Sequence, residues 1–209
     1  MQKLTVDFII SLDGYAAAEG WPGFWGLEGP EYLGWLEKDR EDEHTALLGA
    51  TTYRLMSGLA ADSPDELAGL TAMPKVVFSS TLESPLSWAN TELVDEDPVE
   101  AVRAMKQSSS RPLRTLGSLM LCRALLGARL VDRFRVVVFP VITGDTGRER
   151  IFNGYPDVTL EMVQSRTFDG RLQLLEYIPK VLDGPPLAPQ PGNWSGGRPP
   201  QLTTLPGPC

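Results

Sequence analysis

Leu47-Leu48-Gly49-Ala50-Thr51-Thr52-Tyr53 reads as a short buried strand that stops at a glycine and passes directly into a helix whose first turn carries two threonines. A helix start offers unpaired N–H groups and a partial positive charge, and a glycine before it lets another backbone or a phosphate come close. A plainer reading also stands, because Thr51 or Thr52 can simply cap the helix. Two more junctions repeat the theme. Val76-Val77-Phe78-Ser79-Ser80-Thr81 ends an apolar strand in three hydroxyls, which suit a ribose or phosphate oxygen but equally an ordinary loop. Leu116-Gly117-Ser118-Leu119 closes the strand expected over Arg114 to Gly117 and opens a helix at a small residue. In an open α/β sheet, ligands bind outside the carboxyl ends of the strands, where these junctions would gather. None of them is G-x-G-x-x-G or a P-loop, so the residues by themselves reach an α/β domain with a nucleotide crevice and stop there.

Working outward, apolar runs rich in β-branched residues alternate with segments of helical period, the mark of an α/β fold with a mostly parallel central sheet. Strands are expected over Leu4 to Ser11, Ala46 to Gly49, Lys75 to Ser79, Arg114 to Gly117 and Phe134 to Phe139. Helices are expected over Pro30 to Glu41, Thr51 to Ser57, Pro98 to Gln107 and Ser118 to Leu126, the last stopped by Gly127. Thr159 to Phe168 and Arg171 to Ile178 flank Asp169-Gly170, the signature of a C-terminal antiparallel hairpin. From residue 183 to 209 the chain is rich in Pro, Gly and Ser and lacks apolar period, so it reads as a flexible tail, although Trp194 and Leu202 offer anchors for docking. The domain is placed at 1–182.

With 209 residues, 42% of them apolar, the chain can bury one substantial core. Its charge, 19 − 27 = −8, argues against nucleic acid as a partner. The start, Met1 to Ile10, holds too short an apolar stretch for a signal peptide or a membrane span, so no membrane partner and a cytoplasmic location are expected. Two cysteines, Cys122 and Cys209, make no disulfide framework, and no Cys/His cluster has metal-ligand spacing. Cys122, set among leucines, reads as a buried thiol rather than a reactive one. His44 is the one histidine, which leaves little room for a Ser-His or Cys-His pair. The acidic run Glu37 to Glu43 has mixed charge at helical spacing and reads as a solvated face.

In order along the chain come Ile10-Ser11-Leu12-Asp13-Gly14-Tyr15, Leu48-Gly49-Ala50-Thr51-Thr52-Tyr53, Val77-Phe78-Ser79-Ser80-Thr81, Gly117-Ser118-Leu119, Leu130-Val131-Asp132, Phe139-Pro140-Val141-Ile142-Thr143-Gly144 and Ile151-Phe152. No piece is diagnostic alone, but as an ordered set over residues 2 to 180 they resemble the superfamily that unites dihydrofolate reductase with the C-terminal reductase domain of the riboflavin-biosynthesis deaminase-reductase. The resemblance implies a three-layer sandwich of the dihydrofolate reductase type and a homodimer built partly from the late strands, with the apolar run Val136 to Ile142 at the contact. It also implies hydride transfer from NADPH to a pterin, an aminopyrimidine or a related heterocycle. In that picture Gly49, Thr51 and Thr52 approach the cofactor phosphates, Ser79, Ser80 and Thr81 lie by the adenosine end, and Gly117, Ser118, Leu119 and Met120 lie under the diphosphate and nicotinamide side. Asp13, Gly14 and Ala16 border the nicotinamide and the substrate.

The chain also departs from the pattern. Where many relatives carry Arg after the strand glycine it has Ala50, which removes a frequent partner of a 2′-phosphate, and Arg54 compensates only if its helix turns it toward the crevice. Ser118 replaces the second glycine of a common pair, the late Gly-x-Gly is stretched to Gly144-Asp145-Thr146-Gly147, and residues 19–29 give no clean match. Asp13 is the first candidate for a catalytic, substrate-facing group, against the alternative of an Asp-Gly turn closing the first strand. Glu28 and Glu31 are further carboxylates near the mouth. Trp21, Phe24 and Trp25 offer either an apolar wall for a planar substrate or core packing. A fold hosts many functions, so a binding module without reductase activity stays open beside the enzyme.

Overall fold

A computed structural model describes residues 1–20, 25–41 and 43–185. Strand β1 (Leu4–Ser11) shows how alternation builds the layers: Leu4, Val6, Phe8 and Ile10 face one side and are all buried. They meet Val102 of α4 (Pro98–Ser108) and Leu121, Cys122, Leu125 and Leu126 of α5 (Leu119–Gly127). Truncating a side chain as fully enclosed as Leu125 to Ala costs about 2–5 kcal/mol. On the other side Ile9 joins Val137 and Phe139 of β7 (Arg133–Phe139) under Tyr32 and Trp35 of α1 (Pro30–Glu41). Farther along that face, Ala46 and Leu48 of β3 (Thr45–Gly49) and Val77 of β4 (Lys75–Phe78) meet Tyr53 and Ala60 of α2 (Ala50–Asp62) and Leu70 of α3 (Ala68–Ala72).

The result is three layers around an eight-stranded sheet in the order β5-β4-β3-β6-β1-β7-β10-β9, where β5 is Thr91–Val94 and β6 is Leu113–Thr115. The first six strands run parallel, and β9 (Val158–Phe168) and β10 (Leu172–Val181) add the antiparallel hairpin. Its turn has Asp169 at φ 50° and Gly170 at φ 66°, the paired positive angles that Asp-Gly supplies, closed by Arg171 N–H to the Phe168 carbonyl at 2.9 Å. Asp169 does a second job. Its carboxylate accepts from the N–H groups of Glu31 and Tyr32 at 3.0 and 3.1 Å, and Glu31 Oε2 accepts from Asp169 N–H at 2.6 Å, so the hairpin caps α1 from a distance. A side chain at Gly29 would collide with that carboxylate.

Four expectations need correcting. The run Glu37 to Glu43 is not simply a solvated face: Asp39, its side chain 9% exposed, is paired with Arg114 and Arg135, because its helix lies over a charged part of the sheet. Gly127 is the last residue of α5 rather than its stop, and the left-handed residue that turns the chain is Arg129, at φ 58°. Val136, Val137 and Phe139, expected at a dimer contact, are spent on the chain's own core. The strand ending at Gly117 closes at Thr115, although Leu116 N–H still reaches the Leu47 carbonyl at 2.9 Å. Strands β2 (Tyr15–Ala18) and β8 (Gly147–Arg150), which pair with each other, together with β5 and α3 were not legible. Among the described residues no helix is long and apolar enough to cross a membrane. The Pro/Gly-rich segment lies outside the described residues from 186 onward, as do Trp21 and Phe24.

Candidate active site

Parallel pairing puts the ends of β4, β3, β6 and β1 side by side on one edge of the sheet, and with them Ser79–Thr81, Gly49–Thr52, Gly117–Met120 and Asp13. Two of these junctions interlock. Gly49 N–H donates to the Gly117 carbonyl at 3.1 Å, a Cβ on Gly49 would strike the Ser118 hydroxyl, and one on Gly117 would sit 2.6 Å from Thr52 Oγ1. The room at Gly49 is therefore taken by Ser118. Gly117 also has φ 125°, which side chains rarely adopt, and its peptide bond to Ser118 is cis.

The helix ends at this edge differ in their caps. For α4, Asp97 accepts from Val99 N–H and Glu100 N–H at 2.9 and 3.1 Å, and α1 is capped by Asp169. Neither α2, which follows Gly49, nor α5, which follows Ser118, has a side-chain cap. Thr51 and Thr52 thus do not cap α2 by their hydroxyls, and among the described residues the first N–H groups of both helices have no acceptor, which leaves them to meet an anion. Leu119 is buried in the main core, so only its backbone faces this edge, whereas Met120 is 79% exposed.

Ser79 spends its hydroxyl on a local turn, accepting from Thr81 and Leu82 N–H at 3.1 and 3.2 Å. Ser80 and Thr81 are exposed. Arg54, one turn into α2, places Nη2 3.3 Å from Thr81 Oγ1, so its guanidinium stands beside the hydroxyl loop and is paired with no carboxylate among the described residues.

Asp13 is heavily engaged. Oδ1 accepts from Ser11 Oγ at 2.6 Å and Thr143 N–H at 3.2 Å, and Oδ2 accepts from Gly144 N–H at 2.9 Å. The Ser11 hydroxyl, ahead of the two backbone donors, holds its pKa down at about 2, so the group is a carboxylate that ties the loop after β7 to the loop after β1. Beside it Ala16 lies on β2 against the core, and Phe152 stacks close to Gly14. Leu12, Ile142 and Phe152 are 64%, 71% and 53% exposed around this loop pair.

Trp25 packs on Phe139 with centroids 5.6 Å apart, and its indole Nε1 is buried without a partner among the described residues, as is Glu28 Oε2. Glu31 is committed to the α1 cap. His44 is buried at the amino end of β3, on the opposite edge from these groups. Burial pushes the Cys122 thiol up to about 12, which makes it the inert thiol its leucine neighbours imply.

A model of the RibD C-terminal domain matches residues 2–174. The uncharacterized protein YyaP of Bacillus subtilis (strain 168) is 23% identical over 182 residues, covering 84% of this chain and 94% of that protein. Among solved structures, a putative riboflavin biosynthesis protein from Shewanella sp. PV-4 superposes with a TM-score of 0.69 at 19% identity over 86% of this chain and 99% of that one. The diaminohydroxyphosphoribosylaminopyrimidine deaminase/5-amino-6-(5-phosphoribosylamino)uracil reductase of Thermotoga maritima gives a TM-score of 0.60 at 16% identity, over 86% of this chain and 57% of that longer one.

Proposed function

Because the chain belongs to the RibD C-terminal domain family, we propose that it is a reductase of the riboflavin-pathway type, an NADPH-dependent oxidoreductase acting on a small unsaturated heterocycle such as a pterin or an aminopyrimidine. The observation that carries this reading is the pair of uncapped helix ends, α2 and α5, locked together on one crevice while α1 and α4 are capped. Two sets of unspent N–H groups with two positive helix ends suit a diphosphate. NADPH would supply the hydride; the chain has to hold it, orient the acceptor and exclude water.

In this account the N–H groups behind Gly49, Thr51 and Thr52 and those behind Ser118, Leu119 and Met120 bind the diphosphate, with Gly117 and Gly49 setting their spacing. Ser79, Ser80, Thr81 and Arg54 take the adenosine end. A guanidinium there favours NADPH over NADH. Asp13 positions the reaction edge, with Ala16 beside it, by pinning Thr143 and Gly144, and Trp25 forms part of the substrate wall; Trp21 is proposed on sequence alone. A carboxylate with a pKa of about 2 is a poor proton donor, and Glu28, whose buried Oε2 has no partner among the described residues, is the better candidate for that task. The protein works in the cytoplasm as a homodimer, for which edge strand β9, with Leu160, Met162 and Val163 exposed, offers the contact. NADPH titration followed by NADPH oxidation against a panel of pterins and aminopyrimidines tests the reading. Binding without turnover of any panel member would favour a binding module, and no binding would remove the proposal.

A further inference from the structure

The sheet face beneath α1 changes character half-way along its strands. Toward the carboxyl ends Ile9, Val137, Phe139 and Leu174 are covered by α1. Toward the amino ends the same alternation brings up Thr5 and Asp7 of β1, Arg133 and Arg135 of β7 and Glu176 of β10, with Arg114 of β6 beside Thr5. There a cavity of about 610 Å³ opens, lined by Lys3, Trp35, Arg114, Arg133, Arg135 and Glu176 among others. A smaller one of about 280 Å³ shares Thr5, Pro112 and Arg114 and continues toward His44. Small-molecule sites span roughly 300–1,000 Å³.

The floor of this cleft is expensive to build. Arg135, its side chain 7% exposed, donates to Asp7 through Nε at 3.0 Å and Nη2 at 2.5 Å, and to Asp39 through Nη1 at 2.7 Å and Nη2 at 2.8 Å. Its charge is answered, and it holds two carboxylates in fixed positions. The cations around it keep donors in hand. Arg114 gives Nη1 to Asp39 at 2.5 Å, and its Nε makes no hydrogen bond among the described residues. Arg133 forms an ion pair with Glu176, Nε to Oε1 at 3.1 Å, and gives Nη1 to the Asp132 carbonyl, while its Nη2 has no acceptor among them. Lys3 is exposed and unpaired among them. Lys3, Arg114, Arg133 and Arg135 against Asp7, Asp39 and Glu176 make 4 − 3 = +1, in a chain whose total is −8.

We propose that this amino-end cleft is a second ligand site, distinct from the crevice at the carboxyl ends, for a small organic anion: an oxyanion set on Arg114 and Lys3, with an apolar or ring body against Trp35 and Pro112. The volume is too large for a bare oxyanion and the donors too many for a neutral ring. Carboxylate and phosphate share the chemistry, and the test separates them.

Calorimetric titration of the full chain with benzoate, phenyl phosphate and the neutral benzamide decides it, with circular dichroism confirming that each variant is folded. Benzoate, phenyl phosphate or both should bind while benzamide does not, and the anion that binds identifies the oxyanion. Lys3→Glu, on an exposed side chain without a partner among the described residues, should weaken that binding about tenfold or more. Arg114→Lys, which keeps the charge but loses the fork, should weaken it as well. Ser118→Asp, at the other end of the sheet, should leave it unchanged. The proposal is overturned if neither anion binds, if benzamide binds equally well, or if Lys3→Glu and Arg114→Lys both bind as the wild type does.

Discussion

The two ends of the parallel sheet solve opposite problems with opposite materials. At the carboxyl ends the walls are glycines, hydroxyls and bare helix N-termini, and what they offer an anion is backbone N–H groups that have no acceptor among the described residues. At the amino ends the walls are guanidinium and carboxylate groups, largely spent on one another. Backbone donors are positioned by the fold itself and carry no desolvated charge when empty, whereas buried side-chain charges must be balanced in the folded state before any ligand arrives. The difference explains why one end is tuned by steric fit and the other by charge balance.

The largest effect is expected where that balance is broken. Asp39→Asn removes the carboxylate shared by Arg114 and Arg135 and leaves buried charge uncompensated, a loss of about 3–5 kcal/mol in urea unfolding. Burial works to raise the Asp39 pKa, but Arg135 and Arg114 outweigh it and hold it below the ordinary value of 3.8. The stability it gives is therefore complete above that value and fades as pH falls beneath it, so acid unfolding should be less steep in Asp39→Asn than in the wild type. An unchanged acid limb would mean that the network does not set acid stability.

At the other end the penalty should be steric. Gly117→Ala meets a left-handed φ of 125° and the Thr52 hydroxyl together, and about 1–3 kcal/mol of stability should be lost, with NADPH binding falling along with it. A variant as stable as the wild type would show that the interlocked junctions have slack. The smallest effect belongs to Arg54→Gln, which should narrow the preference for NADPH over NADH by about tenfold, the worth of one charge-assisted hydrogen bond. Ala50→Arg should widen it. Equal ratios of dissociation constants in all three proteins would place the reader of the 2′-phosphate elsewhere.

Much of this contrast was legible in the sequence, and unevenly so. The carboxyl-end junctions announce themselves because strand, small residue and helix are contiguous: Gly49 before α2 and Gly117-Ser118 before α5 sit where they were expected. The difference in caps was missed, with Thr51 or Thr52 read as possible caps of α2, although Asp97-Pro98 before α4 is a strong helix start and Gly49-Ala50 is not. Long-range partners left no such trace. Asp39 looks like any residue of a mixed-charge helix until β6 and β7 bring Arg114 and Arg135 under it, and Asp169 looks like half of a turn until α1 begins against it. Asp13 stood out as a polar group after β1, but its engagement with Thr143 and Gly144, 130 and 131 residues away, depends on the fold. Strands β2 and β8 are four residues each and stabilise one another, which local pattern does not reveal.

If the bare ends of α2 and α5 are the anion cradle of a nicotinamide cofactor site, a negative charge set between them must oppose the cofactor. Titrating NADPH into the wild type and into Ser118→Asp tests it most directly, because the variant puts a negative charge at the N-cap of α5, where the diphosphate would rest. The wild type should bind, and the folded variant should bind at least about tenfold more weakly, a difference of about 1.4 kcal/mol. Equal affinity in the two proteins, or no binding by the wild type, would mean that no diphosphate rests on these helix ends.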